Sequence, residues 1–192
     1  SAFIAPSLRN GDEYDPNIKG NTRANRNSVR DAVFENGPLR QDDAIQTFLD
    51  VWAQSYAGSK VQRIFEDNKE KLIEKGELFE RDGFLWPKRE ELDFQARVST
   101  GSAERKVDEI ALEEIALAMH IILTEGGSME RDDLSMETSQ LFGYQRRGSR
   151  IQERLSETID LLVELELVEE SERLAVNEAK DAEERLLERI YG

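Results

Sequence analysis

The chain has 192 residues, 38% hydrophobic and 35% charged, and its 41 acidic against 26 basic side chains give a formal net charge of −15. That is enough apolar material for one or two compact domains, and disorder throughout is excluded. The absence of cysteine and the single histidine, His120, rule out disulfides, thiolate catalysis, iron–sulfur clusters and any multi-histidine metal site within one chain.

In chain order, residues 1–27 are rich in Gly, Asn and Pro and predict an extended arm. The chain opens at Ser1 without Met, as a piece of a longer protein would. Ser28 can cap a short helix ending near Asn36-Gly37. A second helix carries Ala44, Phe48, Val51 and Trp52 on one face. A third begins at Ser59, an N-cap preceded by Gly58, carries Val61, Ile64, Phe65, Leu72 and Ile73, and stops near Lys75-Gly76. Leu78-Phe79, Arg81-Asp82-Gly83 and Phe84-Leu85-Trp86 then read as strand, turn and strand, with Pro87 ending the second strand. Phe94 to Val98 looks strand-like, and a polar linker covers 99–110. A second set follows: helices over Leu112–Leu123, Arg131–Leu141 and Ser149–Leu165, and a weaker hairpin from Leu167-Val168 to Leu174-Ala175-Val176. Glu178 to Tyr191 reads as an amphipathic helix with Ala179, Ala182, Leu186, Leu187 and Ile190 on one side. No run is long and apolar enough to span a membrane, and no charged-then-apolar leader opens the chain, so the expectation is a cytoplasmic protein with no membrane partner.

The two sets repeat at an offset of 90 residues. Gly58-Ser59-Lys60-Val61-Gln62 becomes Gly148-Ser149-Arg150-Ile151-Gln152, and Gly37 to Asp43 finds partners in Gly127 to Asp133. Ala44, Phe48, Val51 and Trp52 correspond to Leu134, Thr138, Leu141 and Phe142 without a gap. Three helices followed by a two-stranded ribbon describe a winged helix-turn-helix. The expected fold is therefore mainly α with small β-hairpins (α+β): winged-helix repeats over 28–98 and 111–177, then a C-terminal helix over 178–192. A pair of generic helical bundles is the competing reading.

In such a fold the third helix of each unit meets DNA. Here its surroundings are locally basic. No acid falls between Asp50 and Glu66, where Lys60 and Arg63 lie, or between Glu137 and Glu153, where Arg146, Arg147 and Arg150 lie, with Arg154 just beyond. A third gap, Pro16 to Arg30, holds Lys19, Arg23, Arg26 and Arg30. Random placement of so many acids would leave about one such gap. The helix starts at Gly58-Ser59 and Gly148-Ser149 can bind phosphate through open N–H groups, or can be serine caps after a glycine turn. Asp42-Asp43 and Asp132-Asp133 suit helix starts. Trp52 and Trp86 read as core and wing-packing residues, with base stacking a second reading for Trp86. His120 reads as a partly buried or surface residue. Glycine-rich nucleotide loops are absent, and no catalytic residue, cofactor or metal ligand is assigned.

Taken together, Glu35-Asn36-Gly37-Pro38, Gly58-Ser59-Lys60-Val61, Gly83-Phe84-Leu85-Trp86-Pro87, Ile110-Ala111-Leu112-Glu113-Glu114-Ile115 and Phe142-Gly143-Tyr144-Gln145-Arg146-Arg147-Gly148-Ser149-Arg150-Ile151 resemble a C-terminal domain of large prokaryotic proteins related to superfamily 1 helicases. Those proteins also carry an endonuclease-like domain of the very-short-patch-repair type. The likeness covers about residues 28–170. Family members commonly have a histidine soon after the first Gly-Pro, where this chain has Arg40-Gln41, so no role is carried across there. The resemblance implies a non-catalytic accessory module, with DNA and the helicase and nuclease domains of the same longer chain as partners. The alternative is a protein-interaction or dimerisation module, including a homodimer, built on the same fold without DNA. The offset predicts that Ser59–Glu74 and Ser149–Leu165 are equivalent helices, which a structure can check directly.

Overall fold

Val29, Ala32 and Val33 recur at helical spacing and form the buried stripe of α1 (Thr22–Asn36) in the computed structural model, which describes residues 16–17, 21–54, 57–98 and 105–192. α1 belongs to the first of two units, which divide between Leu92 and Asp93. It is followed by β1 (Leu39–Arg40), α2 (Gln41–Val51), α3 (Ser59–Glu74), β2 (Leu78–Arg81) and β3 (Phe84–Pro87). The three helices close over Phe48, Trp52 and Phe65, all fully buried, with the Phe48 and Phe65 rings edge to face at 5.9 Å. Such aromatic pairs add about 1 kcal/mol beyond their area burial.

The strands form one antiparallel sheet in the order β1-β3-β2, with Phe79 opposite Trp86 and Leu39 opposite Leu85. Asp82 and Gly83 both have positive φ, at 50° and 78°, as a two-residue type I′ hairpin turn requires. Glycine at 37 answers a different demand. A Cβ there would overlap the carbonyl oxygen of Val33 and lie 2.9 Å from Pro87 Cδ, so β1 can follow α1 this closely only without a side chain.

One buried cation ties these parts together. Lys69, on α3 and 7% exposed, reaches Glu66 at 2.7 Å and Glu80 of β2 at 3.4 Å, and donates to Gln41 Oε1 of α2 at 2.8 Å. Gln41 in turn donates to Glu66 at 2.7 Å. Burial pulls Lys69 toward its neutral form, but the bonds and charges of Glu66 and Glu80 outweigh it and hold the ammonium above its ordinary pKa.

The second unit contains α4 (Leu112–Gly126), α5 (Arg131–Leu141), α6 (Ser149–Glu164), β4 (Val168–Glu170), β5 (Leu174–Val176) and α7 (Ala182–Tyr191). The bounds of α4, α5 and α6 are those of α1, α2 and α3 displaced by 90 residues. β4 and β5 pair antiparallel, and a single bridge from Met129 to Leu174 stands where β1 lies in the first unit. Thr138 takes the place of Phe48 and is fully buried, its hydroxyl satisfied by the carbonyl of Leu134 at 2.7 Å. The clamp is rebuilt from another position. Ile159 stands where the first unit has Lys69, and the cation is Arg131, at the start of α5, bound to Glu170 of β4 and Asp160 of α6. The described chain is thus mainly helical with small antiparallel sheets.

Several details differ from the sequence reading. α1 begins at Thr22, so residues 22–27, expected in an extended arm, are helical; residues 1–15 and 18–20 lie outside the described ones. Ser28 is an interior helical residue whose Oγ donates to Ala24 O at 2.9 Å rather than a cap. Phe94–Val98 forms no strand, because the Arg97 N–H goes to the Glu114 carboxylate instead of to a neighbouring strand. Linker positions 99–104 lie outside the described residues, while Val107 and Ile110, also placed in the linker, are buried in the second unit. Leu141 is 39% exposed although its counterpart Val51 is buried.

α7 starts at Ala182, capped by Asp181, whose carboxylate accepts from Glu184 N at 3.0 Å. Ala179 is therefore outside the helix and exposed. Ala182, Leu186 and Ile190 form its buried stripe, Leu187 is half-buried, α7 packs along α4, and Arg189 donates to the buried Glu113 at 3.0 Å. A Leu or Ile side chain contributes about 1.5–3 kcal/mol on burial. Removing residues 178–192 should lower the stability of the second unit by several kcal/mol, read as a drop in its calorimetric melting temperature with the first unit unaffected.

Candidate functional site

α2, α4, α5 and α7 each carry two acidic residues in the first turn, which offset the positive end of the helix dipole; α1, α3 and α6 carry none, and of these only α3 and α6 are equivalent helices of the two units, 90 residues apart. Gly58 and Gly148 are the N-cap residues, both with extended backbone, and neither start has a side-chain cap. Ser59 and Ser149 are therefore first helical residues, not caps as the sequence reading allowed. Among the described residues a Cβ added at Gly58 or Gly148 would meet nothing within 4 Å, so none of them closes the approach to either start.

The cations expected here differ in their freedom. Lys60 and Arg63 are exposed, one helical turn apart, and make no ion pair or hydrogen bond among the described residues. Arg146 is likewise exposed and unengaged among the described residues. Arg147 has one long contact, 3.4 Å to the Asp132 carbonyl. Arg150 is drawn away by Asp108, which accepts from its Nη2 at 2.6 Å and its Nε at 2.9 Å, with Glu153 at 3.4 Å. Arg154 is structural: 14% exposed, it donates to the Ile110 carbonyl at 3.1 Å and pairs with Glu157.

Uncharged groups stand among these cations. Gln152 and Ser156 of α6, Ser135 of α5, and Arg147 line a groove of about 460 Å³ together with Ile159, the ion-paired Arg131 and one acid, Asp132. A gap between acids marks charge alone, so these neutral side chains carry no signal in the sequence. Trp86 is 1% exposed, buried under the sheet, which removes the base-stacking reading. His120 is half-buried; burial pushes its pKa down, and Asp181 opposes this only in part. Among the described residues no three His, Cys, Asp or Glu side chains converge to hold a metal, and no helix is long and apolar enough to cross a membrane.

Two further arginines are consumed internally. Glu114 is fully buried and receives Arg97 Nη2 at 2.9 Å, the Arg97 backbone N–H at 2.9 Å and Arg105 Nη2 at 2.6 Å. Arg105 also donates to the Arg97 carbonyl. Burial pushes the Glu114 carboxyl up, but hydrogen bonds from Arg105 and Arg97 and their charges win, holding it below the ordinary carboxylate range.

Comparison of the chain with family models, with curated proteins and with solved structures finds no match.

The Glu114 network has a pH signature. A carboxyl depressed in the folded state contributes stability above its unfolded pKa, about 4.3, and loses it as pH falls through the folded value. Glu114→Gln should therefore flatten the acid limb of the second unit's stability curve below about pH 4.5. Glu114→Ala should cost on the order of 3 kcal/mol at neutral pH, by removing the buried carboxylate that two half-buried guanidiniums share. Urea titrations from pH 3 to 7 measure both.

Proposed function

We propose that both units are winged helix-turn-helix domains and that the chain is a non-catalytic DNA-binding module of a helicase- or nuclease-type protein. The observation that carries this reading is the recurrence, 90 residues apart, of an open, acid-free helix start flanked by exposed cations, of which Lys60, Arg63 and Arg146 are unengaged among the described residues. Phosphate oxygens would sit at the N–H groups following Gly58 and Gly148, with Lys60 and Arg63 on one unit and Arg146 and Arg147 on the other supplying charge. Gln152 and Ser156 are uncharged donors and acceptors suited to a base edge. The hairpins β2–β3 and β4–β5 would be the wings. The net charge of −15 opposes DNA binding except where cations gather locally, as they do at these starts. The resemblance to helicase-associated domains supports the same reading.

A second reading has its own support. Ile121, Met136 and Leu141 of the second unit are exposed, at 43%, 42% and 39%, which favours a protein partner or dimerisation.

Titration of labelled duplex DNA at several salt concentrations separates the two. DNA affinity should fall steeply with salt, and Lys60→Ala with Arg63→Ala, or Arg146→Ala with Arg147→Ala, should each lower the salt slope by about two units, one per lost phosphate contact. Asp108→Asn should strengthen binding by releasing Arg150. No DNA binding by the parent chain, with dimers in ultracentrifugation, would favour the second reading.

A further inference from the structure

The third acid-free stretch of the sequence falls on α1, and the site it builds is separate from the helix starts described above. Arg23, Arg26 and Arg30 are spaced three and four residues apart on one face of α1. With Lys75, Thr22 and Asn27 they line a cleft of about 410 Å³, floored by Leu72. That volume lies within the range of small-ligand sites. The cleft stands at the far end of α3 from Gly58, a helix length of about 24 Å away.

Among the described residues three of its four cations are uncompensated. Glu77, the acid in its wall, is paired with Lys88 at 3.6 Å. Arg30 is shared with Asp31 at 2.7 Å. Arg23, Arg26 and Lys75 make no ion pair or hydrogen bond among the described residues, and Arg26 Nε is buried without an acceptor.

The second unit shows what this surface is otherwise for. Displaced by 90 residues, Arg23, Arg26, Arg30 and Lys75 become Glu113, Ala116, His120 and Leu165. There α7 packs along α4, and Glu113 is taken up by Arg189. Where the second unit covers its first helix with an apolar helix of its own, the first unit has exchanged two apolar positions, Ala116 and Leu165, for cations. An apolar occupant is disfavoured and an anionic one favoured.

We propose that this cleft binds a phosphoryl group, held by the guanidiniums of Arg23 and Arg26 and the ammonium of Lys75. Guanidinium forks match phosphate oxygens in pairs, and a pyrophosphate unit offers enough oxygens to engage all three side chains. The phosphoryl group can come from a free oligophosphate or from the 5′ end of a nucleic-acid strand.

Calorimetric titration of the whole chain tests this, with pyrophosphate, with a 5′-phosphorylated tetranucleotide and with its 5′-hydroxyl twin as probes. Arg23→Gln with Arg26→Gln should weaken the bound probe at least about tenfold, the cost of losing one charge-assisted contact of about 1.5–3 kcal/mol or more. Lys75→Gln, at an exposed position, should weaken it measurably with the fold intact, so the proposal does not hang on the double variant folding. Lys60→Ala with Arg63→Ala should leave it unchanged. Pyrophosphate binding with this variant pattern supports a free oligophosphate; binding of the 5′-phosphorylated strand alone supports a strand end. The proposal is overturned if neither probe binds, if the cleft variants bind as the parent does, or if the Lys60 and Arg63 variant loses the same ligand.

Discussion

A single buried or half-buried cation, joining the second helix, the third helix and the first hairpin strand, is the constraint on which each unit depends. A two-stranded ribbon alone is marginal in water. Each hairpin is held on one side by only a short pairing, β1 with β3 in the first unit and Met129 with Leu174 in the second, which leaves its first strand to be fastened by side chains. Lys69 does this in the first unit by holding Glu80 of β2 against Glu66 and Gln41. Arg131 does so in the second by holding Glu170 of β4 against Asp160. The cation has moved from the third helix to the second while the elements it joins are the same. Geometry is therefore what the two units share here, and no single side chain is.

Much of the fold was legible in the residues because its signals are periodic or steric. The spacing of Ala44, Phe48, Val51 and Trp52, the Asp82-Gly83 turn and the register of Gly58-Ser59 with Gly148-Ser149 each reduce to local geometry, and the helices lie where these place them. The start of α1 was hidden because its first buried members are polar: Asn25, whose Nδ2 donates to the Pro16 carbonyl, and Ser28, whose Oγ donates to the Ala24 carbonyl. Phe94–Val98 misled because a strand pattern needs a neighbouring strand, which sequence alone does not supply.

The site was legible only as charge. Gaps between acids located the starts of α3 and α6, but could not show that Arg150 turns to Asp108 or that Arg154 is buried against Ile110, since both partners lie more than 40 residues away in the chain. Nor could they show that three arginines of a supposed arm share one face of a helix. Acid is so abundant in this chain that an unengaged cation requires an arrangement keeping carboxylates away. Several of the cations left unengaged, Lys60, Arg63, Arg146, Arg23 and Arg26, fall within the three acid-free stretches of the sequence.

The buried Glu114 carboxylate has a further consequence for how this chain can vary. It grips Arg97 and Arg105 together, and Arg105 also bonds to the Arg97 carbonyl. The two sides of residues 98–104 are thus fastened to one another by contacts that none of those residues makes. Closing a loop costs entropy that grows only with the logarithm of its length, about 0.6 kcal/mol per doubling. A segment bracketed in this way is free to lengthen and change its composition at little thermodynamic expense, so this stretch of the second unit is a place where the chain can accept inserted sequence while the core of that unit stays as it is.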